Sequence, residues 1–196
     1  TGDAGIYDGC SSGSPDVDYP ASSPEVVGVG GTTLNPIGNS APNNGTNWAE
    51  IGWGCSSSGD CATNGGSGGG ASSTFDKPTF QSVIGDSPFS TSTRRLVPDI
   101  SANGAPASGF PIFTSDPTDG GGPGLPIFGG TSLATPESAA LFTNMLAAHG
   151  VTSGIGDIHR ALYQAYAAHD GSFRDITSGT NGAAADAPID PSVNAT

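Results

Sequence analysis

The stretch Gly129-Gly130-Thr131-Ser132-Leu133-Ala134-Thr135-Pro136 sets a hydroxyl between a pair of glycines and the start of an apolar run. A serine so placed suits nucleophilic attack on a carbonyl. The glycines let the backbone come close to a bound group, and a helix that starts there turns unpaired N–H groups and its positive dipole end toward developing negative charge. Taken alone, Ser132 or Thr131 at such a point reads first as an N-cap, which is what such residues usually are. Asp3, near the start of the chain in Thr1-Gly2-Asp3-Ala4-Gly5, reads alone as a turn residue. A general base is harder to find. The histidines, His149, His159 and His169, all follow Ser132 and fall at or near the ends of expected helices, where they read as dipole partners or surface residues. Two aspartate-bearing stretches, Asp175 to Gly182 and Asp186-Ala187-Pro188-Ile189-Asp190, are rich in oxygen donors. Loops of this kind suit Ca²⁺, which takes six to eight oxygen ligands in irregular geometry, and they read alternatively as solvated turns.

The octapeptide around Ser132 resembles the serine motif of the subtilisin-like superfamily, in which Gly-Thr-Ser precedes a small or apolar pair and Pro. The stretch from Tyr19 through Glu25-Val26-Val27-Gly28-Val29-Gly30-Gly31-Thr32 looks like that family's substrate-side strand with its lead-in turn, and the two motifs stand in the family's order. Arg95-Leu96-Val97-Pro98-Asp99-Ile100-Ser101-Ala102-Asn103, with Gly68-Gly69-Gly70 running into Ser72-Ser73-Thr74-Phe75, is similar to the sedolisins, the serine-carboxyl peptidases of that superfamily. Gly2-Asp3 decides for that branch, because sedolisins carry Gly-Asp where subtilisins carry an Asn in a Gly-Asn context. An amide donates a hydrogen bond at any pH. A carboxyl donates to an oxyanion only while protonated, and its reference pKa of about 3.9 ties such a device to acid conditions.

The resemblance implies an α/β, subtilisin-like three-layer fold with a mainly parallel sheet, of which residues 1–196 would be the C-terminal half. It implies an acid-acting serine endopeptidase in which Ser132 attacks a protein or peptide substrate and Asp3 helps to hold the tetrahedral oxyanion. The Glu and Asp that complete the family's site lie upstream of the position of Asp3, so a segment N-terminal to this sequence is expected as a partner. The resemblance also implies a calcium site of Asp175, the Ile176 carbonyl, Asp186, Pro188 and Asp190, although both glycines expected in its second half are replaced. The rival readings are an ordinary subtilisin-like protease, marked by activity near neutral pH, and a non-catalytic module kept for binding or assembly.

These residues need elements to hold them. Glu25 to Val29, closed by Gly30-Gly31, reads as a buried strand, and Leu96 to Ile100 and Phe110 to Thr114 read as further short strands. Asn35 to Ser73 reads as a long decorated loop. Pro136 to His149 contains no internal Gly or Pro and is nearly continuously apolar, so a mostly buried helix is expected with Pro136 in its first turn and Gly150 just past its end. A second helix is expected over Ile155 to His169, with Ile155, Ile158, Leu162 and Ala165 on one face. Strands followed by helices with short returns point to an α/β layered fold.

Composition narrows the function classes. Five Lys plus Arg against 18 Asp plus Glu give a formal charge of −13, which removes phosphate attraction as a source of affinity and argues against nucleic acid. No apolar run approaches the length of a membrane-spanning helix. The 32 Gly and 16 Pro are interleaved with apolar runs, as in a loop-rich globular chain. Cys55 and Cys61 bracket the short loop Ser56 to Asp60, and a disulfide closing it would contribute roughly 2 to 3 kcal/mol. Two free thiols are the alternative, and Cys10 is left over. A secreted protein or one of an acidic compartment, such as a lysosome or vacuole, is the expected setting.

Overall fold

The computed structural model describes residues 1–7, 16–36, 48–54, 65–84, 91–116, 123–169, 171–176 and 179–181. Cys10, Cys55, Cys61, Asp186, Pro188 and Asp190 lie outside them. The central sheet joins β1 (Val29–Pro36), β2 (Trp48–Gly52) and β5 (Ile100–Asn103) in the order β2-β1-β5. Its register pairs Val29 with Ile100 through Thr32 with Asn103 in parallel, and Thr32 with Gly52 through Pro36 with Trp48 antiparallel. Two smaller antiparallel ladders accompany it, β3 (Gly70–Asp76) with β4 (Arg94–Val97) and β6 (Phe110–Pro111) with β7 (Ile127–Phe128). The helices are α1 (Thr131–Ala148) and α2 (His159–Ala168).

One core lies between sheet and helices, with Val29 and Ile100 meeting Ala134 of α1 and Leu162 of α2. A second joins Ile84, Leu96 and Tyr163, with Phe80 packed against it. These clusters set α1 across the parallel pair β1 and β5, so the serine-bearing end of the helix opens at the end of those strands.

Several boundaries differ from the sequence expectation, for physical reasons. The chain turns at residues 21–26, and the strand starts at Val29 and runs through Gly30-Gly31 instead of closing there. The glycines serve close approach: a Cβ on Gly30 would fall 2.7 Å from Pro98 Cγ, and one on Gly31 2.6 Å from Trp53 Cε3. The expected strand over residues 96–100 divides between β4 and β5, which belong to different sheets, and the one over 110–114 shortens to Phe110–Pro111. The expected loop from Asn35 to Ser73 contains β2 and the start of β3.

Helix α1 begins at Thr131, with Pro136 inside it. Its start is set by a side chain 128 residues away, described below, and local pattern could not register that. Its burial is also narrower than expected. Only Thr131, Ala134 and Ser138 are buried, a stripe at helical spacing facing β1 and β5, while Leu141 is 59% and Met145 51% exposed. Leu133, Phe142 and Leu146 are only half-buried. Helix α2 starts later than expected because Gly156 takes φ 72° and the Asp157 carboxylate accepts the His159 N–H at 2.9 Å. Ile155 therefore precedes the helix and is exposed. His169 at φ 49° and Gly171 at φ 82° end α2.

Candidate active site

The first turn of α1 is built around Asp3. Its Oδ1 accepts a hydrogen bond from the Thr131 N–H at 2.7 Å and lies 3.0 Å from the Thr131 hydroxyl, capping a helix with no side-chain cap of its own. The Gly2 N–H donates to Thr131 Oγ1 at 3.1 Å. The segment carrying Asp3 is pinned by Gly66, whose N–H donates to the Asp3 carbonyl at 2.9 Å and whose carbonyl accepts from Gly5 at 2.9 Å. Gly130 stands at φ 88°, donates to the Gly104 carbonyl at 2.5 Å, and leaves room for Asp3: a Cβ there would lie 2.6 Å from Asp3 Oδ2. A side chain at this point would be strained twice over.

Ser132, the next residue, is exposed on the first turn of α1. The two residues singled out for chemistry are thus brought to one helix terminus. The bonds from Thr131 fall on Oδ1, and Oδ2 of the same carboxyl faces Gly130. The histidines do not join them. His149 closes the far end of α1, roughly 25 Å along the axis from Ser132 at 1.5 Å per residue, and His169 ends α2.

His159 overturns the surface reading given to it. It opens α2, only 2% exposed, with Nδ1 2.6 Å from Asp157 Oδ1 and Nε2 3.0 Å from the Val26 carbonyl and 3.5 Å from Asp99 Oδ2. Around it lies a buried polar cluster that residue patterns did not announce. Arg95 grips Asp99 with both terminal nitrogens, at 2.8 and 2.6 Å, and also donates to the Leu96 carbonyl. Tyr163 and the Gly28 N–H donate to the same carboxylate at 2.9 and 2.7 Å. Gln81 joins Tyr163 to both backbone groups of Leu96. Burial by itself would raise the Asp99 carboxyl, but the bonds from His159 and Arg95, the guanidinium charge and the Gly28 N–H outweigh it and hold Asp99 below its ordinary range. The i, i+4 spacing of Arg95 and Asp99 is the one trace of this cluster in the sequence.

A cavity of about 350 Å³ lies between α1, α2 and residues 171–176, lined among others by Glu50, Glu137, Leu141, Phe142, Asp175 and Ile176. Burial raises the Glu137 carboxyl above its ordinary value and the Glu50 charge adds to the effect; Glu137 Oε2 is buried without a hydrogen-bond partner. Asp175 is exposed and Ile176 buried. Among the described residues no group of three or more His, Cys, Asp or Glu is gathered for a metal, and no helix is long and apolar enough to cross a membrane.

No family model matches the chain. It is 35% identical over 187 residues to sedolisin from Pseudomonas sp. (strain 101), an alignment covering 93% of this chain and 29% of that protein. Xanthomonalisin from Xanthomonas sp. (strain T-22) is 32% identical over 210 residues, covering 93% of this chain and 23% of its own length. Kumamolisin from Bacillus sp. (strain MN-32) is 32% identical over 183 residues, covering 92% and 29%. Among solved structures, Pseudomonas sedolisin, a serine-carboxyl proteinase complexed with two molecules of pseudo-iodotyrostatin, superposes with a TM-score of 0.68 at 33% identity, covering 92% of this chain and 45% of the other. The chain spans less than a third of the length of these curated relatives.

Proposed function

Because this chain belongs to the sedolisin family and shares its subtilisin-like α/β fold, we propose that it supplies the nucleophile and one oxyanion donor of an acid-acting serine endopeptidase that cleaves proteins or peptides. The observation that carries the reading is the hydrogen bond from the Thr131 N–H to Asp3, which sets a carboxyl from the start of the sequence beside the helix terminus bearing Ser132. Ser132 Oγ attacks the substrate carbonyl carbon. Its proton passes to a carboxylate contributed by an upstream segment, since none of the three histidines stands at the nucleophile. The carbonyl oxygen, now negative, is met by the Ser132 N–H, the first-turn N–H of α1 not given to Asp3 or to the Gly130 carbonyl, and by the proton on Asp3 Oδ2. Collapse of the tetrahedral species expels the leaving amine, which takes up the proton. The exposed apolar side of α1 supports an upstream partner, because Leu141 and Met145 offer a surface for it to cover. The setting we propose is secretion or an acidic compartment.

We extend the proposal to one Ca²⁺ held by Asp175, the Ile176 carbonyl and oxygens of Asp186, Pro188 and Asp190. The donors are all oxygens, as a hard cation requires, and the exposed Asp175 carboxylate is free to turn toward it. The ion would tie residues 175–190 together and takes no part in the chemistry.

Activity in the whole peptidase carrying this sequence tests the reading. Ser132→Ala is expected to abolish turnover, and Asp3→Ala to lower kcat by about 10² to 10³. Asp3→Asn should retain more activity than Asp3→Ala and move the pH optimum upward, because an amide donates without protonation. An Asp3→Asn enzyme with an unchanged pH profile would remove Asp3 from the oxyanion site.

A further inference from the structure

His159 is nearly sealed from solvent, and each of its ring nitrogens faces oxygen. Nδ1 lies 2.6 Å from the Asp157 carboxylate, which also receives the His159 backbone N–H, and Nε2 points at the Val26 carbonyl at 3.0 Å with Asp99 Oδ2 at 3.5 Å. A carbonyl and a carboxylate can only accept. Neutral imidazole carries one N–H and one lone pair, so either tautomer would press a lone pair against an oxygen; only the doubly protonated ring satisfies both sides. Phe80 lies flat on the ring, with centroids 4.4 Å apart and planes 14° apart, an arrangement that also suits a cation over an aromatic face.

We propose that His159 is held as an imidazolium whose charge locks α2 to the lead-in of β1, so that the fold is tighter in mild acid, where Asp99 is still ionised, and loosens as the ring loses its proton. The charged surroundings agree. Asp99, from the link between β4 and β5, and Asp157, from the turn before α2, are the carboxylates that face the ring. Arg95 lies beyond Asp99 and is gripped by it, while Arg160 acts on Asp157 from the exposed side. Tyr163 of α2 is a neutral donor to Asp99. With His159 charged, it shares Asp99 with Arg95 and Asp157 with Arg160, so each carboxylate lies between two cations. The bond to Asp99 raises the His159 pKa above its ordinary value, burial opposes, and Asp157 and the Val26 carbonyl raise it further. The lock acts on Val26, which leads through Gly28 into β1, the strand packed against the serine-bearing helix. It does not depend on the peptidase reading, because it concerns only the folded cluster.

A histidine whose pKa is raised on folding adds stability in full below its unfolded value of about 6.5, and that stability is lost as pH rises through the folded value. The test uses the whole protein carrying this sequence in a Ser132→Ala background, which prevents self-digestion. NMR of ¹³C-histidine-labelled protein should show one ring, assigned by its loss in His159→Gln, titrating above about 6.5 and protonated on both nitrogens near pH 6. Asp157→Asn, at an exposed side chain, should lower that midpoint while the fold persists. As pH is raised from about 6.5 through the midpoint of the ring, the Tm of the Ser132→Ala parent should fall further than that of His159→Gln. The extra fall is about 3 to 5 °C for each pH unit separating the midpoint from 6.5. A His159 midpoint at or below about 6.5, or an equal pH slope of Tm in His159→Gln, would overturn the proposal. If His159→Gln does not fold, assignment through the ring's contact with Phe80 leaves the midpoint and its response to Asp157→Asn to decide.

Discussion

Asp3 and Asp99 are the same side chain in opposite surroundings. Asp99 is buried, and both its oxygens are engaged by Arg95, with Gly28 and Tyr163 adding donors. A proton there would displace charge-assisted bonds in a buried site. Asp3 is exposed, and both of its hydrogen bonds come from Thr131 to one oxygen. Its Oδ2 sits over the bare Cα of Gly130 and takes no part in the cap made by Oδ1. A carboxyl saturated with donors holds a fold together, whereas one bonded through a single oxygen beside a helix terminus leaves the other oxygen for the oxyanion role proposed above.

The sharpest way to break this contrast is to delete each carboxyl in turn. Asp99→Ala leaves the fully buried Arg95 guanidinium without its counter-charge and is expected to cost about 3 to 5 kcal/mol in denaturant unfolding. Asp3→Ala should cost only a helix cap, about 0.5 to 2 kcal/mol, while removing far more activity. Equal losses of stability would erase the distinction. The pH dependence follows the same division. Asp99 has a depressed pKa, so its contribution is present above the unfolded value of about 3.9 and is lost as pH falls through the lower folded value. Melting curves from about pH 2 to 6 should show this acid arm in the unaltered protein and lose it in Asp99→Asn.

Gly130→Ala sharpens the contrast from the other side. The new methyl at φ 88° meets Asp3 Oδ2, so the variant is expected to lose about 1 to 3 kcal/mol and to lose activity beyond that cost. Retention of wild-type kcat would show that Asp3 need not sit where it does. Asp175 is a third environment, an exposed carboxylate beside the buried Ile176. A chelator should lower the Tm by a few degrees, about 2.7 kcal/mol of linkage being available at a hundredfold excess of Ca²⁺ over its Kd. Asp175→Ala should abolish that response, and an unchanged melting curve in chelator would leave Asp175 a plain surface residue.

Much of the candidate site is legible in the chain itself. The glycines before Thr131-Ser132 and the helix after them follow from local sterics, because turn and helix preferences act within a few residues. Resemblance of short motifs extended this to Asp3. What local pattern could not supply were contacts across the chain. The start of α1 depends on Asp3, 128 residues away, so a reading that stopped at Pro136 placed it too late. The apolar texture of α1 predicted burial, but composition says how much surface asks to be covered, not whether a neighbour covers it; β1 and β5 meet one stripe only. His159 at a helix end looked like a surface residue, since periodicity assigns faces within one helix and is blind to Val26 and Asp99 arriving from other elements. Residue order determined the candidate nucleophile and the helix that carries it. Which carboxyl is sealed among donors, which is bonded through one oxygen, and which histidine is held between acceptors were decided by tertiary packing, because burial and hydrogen-bond saturation are properties of neighbours brought together from distant parts of the chain.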